Sequence, residues 1–275
     1  MEQEIILLGH GSRRNNATDA GLAEVVRRLQ RRVGNQMRVR LAGFEFTRPS
    51  LADAVIAADA AGADRVTVVP YFLFGGREVR LKIPAELDEL RREHPHLDLR
   101  YADCLGPDPT MADVCADRVR ELLDSPNWKR SVPAAMTLGL VVVSRGSRAS
   151  EADAGLRAVT AMTAQRMRVK IFSHAQAEIG EPRLPEAARL VIAAGATAVA
   201  VQPYLVFPGS VLLDTVRPAL DQVRREHPSV PVALARILGI DERMLDLALV
   251  RAQAAGTDQR GECQPVQVAE EGRTV

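Results

Sequence analysis

The chain is poor in cysteine. It has three, Cys104, Cys115 and Cys263, and none forms a C-x-x-C pair. That count speaks against a disulfide framework, a zinc ribbon or a thioredoxin-type site, and Cys104 and Cys115 read as small core residues. Aromatic residues make up 4%, too few for a base-stacking surface. Neither sign of charge is in excess, with 36 basic and 35 acidic residues, so no global field favours nucleic acid or anionic lipid. No run of about 18 apolar residues is present to span a membrane. The start, Met1-Glu2-Gln3-Glu4, is acidic where a secretory leader is basic. The expectation is a cytoplasmic protein with no nucleic-acid partner and no membrane partner. The sequence also lacks G-x-x-x-x-G-K-[ST], and its one Gly-x-Gly after a strand-like run, Gly9-His10-Gly11, has no third glycine. No nucleotide is therefore expected.

What is present is an ordinary globular balance, 47% apolar and 26% charged, over 275 residues. That length fits one large or two small domains. The most informative feature is a duplication. Gly9-His10-Gly11-Ser12-Arg13 is echoed by Ser144-Arg145-Gly146-Ser147-Arg148. Pro49, Pro70-Tyr71, Arg92-Glu93-His94-Pro95, Leu105-Gly106 and Met111 each recur 133 positions later. Chance similarity does not hold one offset over that distance, and the period is far longer than that of solenoid repeats.

Each repeat alternates apolar runs with amphipathic stretches. Strands are expected at residues 4–8, 38–46, 65–72 and 98–101. Helices are expected at 20–33, 50–61, 84–93 and 109–123, with Ser50 capping the second. Strict alternation implies parallel sheets covered on both faces. The predicted architecture is α/β: two homologous Rossmann-like domains with a cleft between them. The predicted bounds are 1–128 and 135–253, joined by a linker over 124–135, with a disordered tail over 254–275.

Ligands of open parallel sheets bind beyond the carboxyl ends of the strands. The residues around His10, Glu45 and the stretch 72–80 are expected to converge there. His10 lies between two glycines that let the chain turn sharply. It reads either as a site residue or as a turn histidine bonded to a nearby loop. Glu45, between Phe44 and Phe46, is repeated as Glu178; each reads equally as a site carboxylate or as a helix cap. Glu78 follows Gly75-Gly76 and by itself reads as a solvated loop charge. His94, His96 and His227 fall at helix ends, where a cation complements the dipole. His174 follows a strand of the second repeat and is expected to line the cleft.

The segments Leu7-Leu8-Gly9-His10-Gly11-Ser12-Arg13, Glu45-Phe46-Thr47-Arg48-Pro49-Ser50-Leu51 and Val68-Val69-Pro70-Tyr71-Phe72-Leu73-Phe74-Gly75-Gly76-Arg77, with Ile83-Pro84, together resemble the sirohydrochlorin chelatases of the CbiX/SirB type. The resemblance spans roughly residues 3–250 and includes the duplicated form. It implies nucleotide-independent insertion of a divalent metal, Co2+, Fe2+ or Ni2+, into a carboxylate-rich tetrapyrrole. The metal is then a substrate, and the protein a monomer or homodimer. It implies His10 as the catalytic histidine, assisted by Glu45. A second histidine of the family pattern is replaced here by Glu78, and the usual acidic residue before Ile-Pro by Lys82. The implied metal ligands are His10 and Glu78. The implied substrate contacts are Ser12, Arg13, Gly76, Arg77, Arg80 and Lys82. In the second repeat Arg145 takes the histidine's place and Ser210-Val211 that of Glu78, leaving one site per chain. A non-catalytic metal or tetrapyrrole binder, or an enzyme reusing the fold on a smaller ligand, are the other readings.

Overall fold

The short apolar runs of each repeat become the strands of a four-stranded parallel sheet. The computed structural model describes residues 2–11, 16–45, 48–133 and 135–256. The first sheet holds β1 (Gln3–Gly9), β2 (Arg38–Gly43), β3 (Arg65–Pro70) and β4 (Asp98–Tyr101), in the order β2-β1-β3-β4. The second holds β5 (Leu138–Gly146), β6 (Ile171–Ile179), β7 (Ala198–Pro203) and β8 (Val232–Leu234), in the matching order β6-β5-β7-β8. All pairings are parallel. The α/β class with two Rossmann-like sheets is thus as the alternation implies. Each central strand is covered on both faces: Ile5, Ile6, Leu7 and Leu8 are all buried, and each contributes about 1.5–3 kcal/mol.

The helices of the first repeat are α1 (Asn16–Val33), α2 (Leu51–Ala60), α3 (Ile83–Glu93) and α4 (Pro109–Asp124). Ser50 caps α2 as expected: its hydroxyl accepts from the Asp53 amide at 3.2 Å, and Asp53 returns a bond to the Ser50 amide at 2.9 Å. The segment read as a linker contains a short helix, α5 (Pro126–Ser131), because Ser125 caps it and Trp128 is buried under it. The second repeat supplies α6 (Ser150–Met167), α7 (Leu184–Ala193), α8 (Arg217–Glu226) and α9 (Glu242–Ala254).

Packing divides the chain differently from the repeat. Among the described residues, one compact unit comprises those up to Gly106 together with those from Glu242 to position 256, and the other comprises Pro107–Asp241. In the second, α4 packs on α6 through Met111, Val114, Cys115 and Val119, all fully buried. Burial pushes the Cys115 thiol up to about 12, so it is inert packing. In the first, α9 packs near β3, and its Glu242 binds Arg28 and Arg32 of α1 at 2.8 and 2.6 Å. Each repeat's last helix thus belongs to the other unit. Of the expected disordered tail, Ala254 closes α9 and Ala255 is buried, its carbonyl accepting from Arg100 at 3.2 Å. Residues beyond 256 lie outside those described.

His94 and His227 do end helices, α3 and α8. His94 also does more: its Nδ1 lies 2.6 Å from Asp59, and His96 Nε2 lies 2.7 Å from the other oxygen of that carboxylate. His96 and then His94 hold the Asp59 carboxyl below its ordinary range. The pair clasps the end of α2 to the turn after α3.

Candidate active site

Three strand ends lie level in the first unit. Gly9 pairs with Gly43 across β1 and β2. The Phe44 amide donates to the Gly9 carbonyl at 2.9 Å, and the Tyr71 amide to the Leu8 carbonyl at 2.9 Å. The residues leaving this edge are His10, Phe44 and Phe72. Their rings gather: the His10 centroid lies 6.4 Å from that of Phe44, at an interplanar angle of 24°, and 6.1 Å from that of Phe72. Glycine just before the histidine gives Leu22 its place, since a Cβ on Gly9 would stand 2.3 Å from Leu22 Cδ1 and force that side chain to shift. Gly11, just after it, takes a positive φ of 74°. His10 is half-buried with Nδ1 turned inward.

β2 ends at Gly43, so Glu45 lies beyond the strand and is exposed. Its carboxylate has a cation beside it: Lys82 Nζ donates to Glu45 Oε1 at 3.0 Å and stands 5.7 Å from the Phe44 centroid. The stretch expected as a glycine loop instead forms a π-helical turn over Glu78–Lys82 that runs into α3. Such wide turns are rare and are frequent at functional sites. Buried Val79 pins the turn, and its carbonyl accepts from the Tyr101 hydroxyl at 2.9 Å. Burial raises the Tyr101 phenol well above its ordinary value, so it is a fixed donor. The turn presents Glu78 and Arg80 half-buried and Arg77, Leu81 and Lys82 exposed. Gly76 lies against Glu78: a Cβ there would be 3.3 Å from the Glu78 carboxylate.

The structure brings His10, Phe44, Glu45 and Lys82 into one group. It does not gather the expected ligands into a ready cage: among the described residues no three His, Cys, Asp or Glu side chains are set to hold a metal ion. Ser12 and Arg13 lie outside the described residues. The contacts that sequence reasoning missed are the rings of Phe44 and Phe72 and the Lys82–Glu45 pair. The predicted strands, 38–46 and 65–72, run through both rings; the observed ends at Gly43 and Pro70 leave Phe44 just beyond β2 and Phe72 two residues beyond β3.

The second unit repeats the frame with other chemistry. Arg145, in the place of His10, donates through Nε to Glu178 at 3.0 Å. A second π-helical turn, Val211–Val216, begins where the first begins with Glu78. His174 does not follow a strand: it lies inside β6 and is 4% exposed. Alternation along β6 turns Ala175 and Ala177 to one core and leaves His174 and Gln176 facing α6. There Gln176 donates to Asp153 at 2.7 Å, and His174 Nε2 lies 3.4 Å from the same oxygen. Burial lowers the His174 affinity for a proton, Arg157 lowers it further, and Asp153 opposes both.

An unfolded histidine takes up its proton near pH ~6.5, and the folded one only below that. Between the two the unfolded chain binds more protons, so this part of the stability is complete above ~6.5 and is lost as pH falls. We expect His174→Gln to flatten the drop in urea midpoint between pH 7.5 and 5.5. An unchanged slope would show that other groups set it.

A family model described as CbiX matches residues 4–122 and again 139–255. The chain belongs to the CbiX family. The two CbiX matches coincide with the two repeats, so the duplication is one of whole family units. Among relatives, the sirohydrochlorin cobaltochelatase of Priestia megaterium is 24% identical over 251 residues, covering 91% of this chain and 79% of its own. The chloroplastic sirohydrochlorin ferrochelatase of Arabidopsis thaliana is 34% identical over 119 residues, 43% of this chain and 52% of its own. Among solved structures, SirB from Bacillus subtilis with Fe3+ superposes with a TM-score of 0.78 at 20% identity, covering 96% of this chain and 99% of that one. SirB from Bacillus subtilis subspecies spizizenii in complex with cobalt gives 0.73 at 18% identity, covering 92% and 94%. These likenesses establish a shared CbiX-type fold. No helix among the described residues is long and apolar enough to cross a membrane.

Proposed function

We propose that this CbiX-family protein inserts a divalent metal ion, Co2+ or Fe2+, into sirohydrochlorin without a nucleotide. The observation that carries the reading is the His10 imidazole, set between Phe44 and Phe72 where three strands end. Insertion exchanges two pyrrole protons for one M2+. Each N–H electron pair stays on its nitrogen and becomes a metal–nitrogen bond, so no oxidant or reductant is required. The protein has to strip water from the ion, accept protons and hold a polycarboxylate.

His10 supplies its imidazole as a ligand or proton acceptor. Glu45 orients it or relays the proton. Glu78 offers an oxygen donor in place of a second imidazole, which favours harder ions. The phenylalanine rings suit the flat face of a macrocycle. Arg77, Arg80 and Lys82 face its carboxylates, with Gly76 leaving room. Ser12 and Arg13 are assigned the same task by their place beside His10. Arg145 and Val211 in the second repeat supply no equivalent ligands, so the chain carries one site.

Anaerobic mixing with sirohydrochlorin and Co2+ or Fe2+, followed by tetrapyrrole absorption, tests this. We expect insertion well above the spontaneous rate with no nucleotide added, with Ni2+ compared in the same series. A rate equal to the protein-free control, with or without binding, overturns the reading.

A further inference from the structure

Lys82 occupies an unusual place for a cation in a site meant to receive one. Its ammonium bonds Glu45 at 3.0 Å and stands over Phe44, whose ring neighbours His10. A divalent ion approaching His10 would meet this ammonium and find Glu45 engaged. The pair is partly open to water, with the side chains 46% and 32% exposed. It is therefore weak enough to exchange partners.

The second repeat provides an internal comparison. Glu178, the counterpart of Glu45, is also held by a cation, but from the strand end: Arg145 at 3.0 Å. Its π-helical turn, Val211–Val216, carries no cation at all. The π turn therefore forms without the lysine, and Lys82 is not explained by folding.

We propose that Lys82 is a positioning residue acting as a carboxylate-exchange latch, which holds Glu45 until a carboxylate of the incoming tetrapyrrole takes its ammonium. The inference rests on the function proposed above and adds an order to it: tetrapyrrole first, metal second. Binding of the polycarboxylate moves Lys82 from Glu45 to the substrate. Glu45 then turns to His10 at the moment a metal has somewhere to go. Only one hydrogen bond is exchanged for another, and no covalent bond changes. Leu81, exposed beside Lys82 on the same turn, offers the macrocycle an apolar edge as the lysine moves.

The test is a Co2+ titration of the full chain without tetrapyrrole, by calorimetry and cobalt absorption, for wild type, Lys82→Met and Lys82→Arg. Removing one positive charge beside the ion is expected to tighten Co2+ binding roughly three- to tenfold in Lys82→Met. Lys82→Arg, which keeps the charge, stays near wild type. In steady state, Lys82→Met raises the KM for sirohydrochlorin more than it lowers kcat, which a purely structural role would not do. Thermal melting of each variant checks folding. Binding in Lys82→Met that is no tighter than wild type, or absent in both, overturns the latch. The titration needs no turnover, so a failed insertion assay beside tightened Co2+ binding would refute the proposed function and leave the Lys82–Glu45 hold standing.

Discussion

Replacing His10 with alanine is expected to lower kcat/KM for metal insertion by about 10²–10⁴-fold, the usual contribution of a positioned acid–base group. The side chain stands at the end of β1 with two aromatic neighbours and is only half-buried. Its loss removes the one imidazole of the group and leaves the sheet beneath intact. His10→Gln keeps a polar side chain of similar reach but offers no imidazole, and is expected to be nearly as impaired. Both variants should melt within a few degrees of wild type. A His10→Ala protein that retains more than a tenth of wild-type kcat/KM would remove His10 from the chemistry.

The second large effect is structural and falls in the other repeat. Gly146, the counterpart of Gly11, has a φ of 101° at the end of β5, and a Cβ there would come within 1.9 Å of the Ile179 carbonyl oxygen. The obstacle is backbone, held in the β5–β6 register where Gly146 faces Ile179. No rotamer change relieves it. Gly146→Ala combines left-handed strain of about 1–2 kcal/mol with overpacking of about 1–3 kcal/mol, and is expected to destabilise by about 3 kcal/mol or more. Gly195→Ala is the matched control. Its φ is 103°, yet nothing lies within 4 Å of the added carbon. It should cost only the strain. Urea denaturation of the two variants separates conformation from collision; equal losses would mean the strand ends part more readily than the register implies.

The features legible in the sequence were those set by nearest neighbours along the chain. Apolar runs bounded by turn residues gave strands, three-to-four spacing gave helices, and Ser50-x-x-Asp53 gave a cap, because each depends on a few successive residues. Less local features were misread. The strand expected to reach residue 46 stops at Gly43, and the strand expected to stop before His174 contains it, since strand length depends on what pairs alongside. The stretch around Glu78 looked like a loop from its two glycines. It is a π-helical turn because Val79 finds a buried place and a Tyr101 hydroxyl to hold its carbonyl.

The sequence by itself determined the doubled α/β plan and that His10 and Glu45 follow the first repeat's first two strands. Burial periodicity and a constant offset of 133 are written in residue order and survive without coordinates. Only the tertiary structure decided which unit each terminal helix completes, that His174 belongs to a core, and that Lys82 stands against Glu45. Those outcomes depend on residues well separated in the chain meeting, as His174 and Asp153 do across 21 positions and Lys82 and Glu45 across 37. That is settled by strand register and helix packing, which no local pattern encodes.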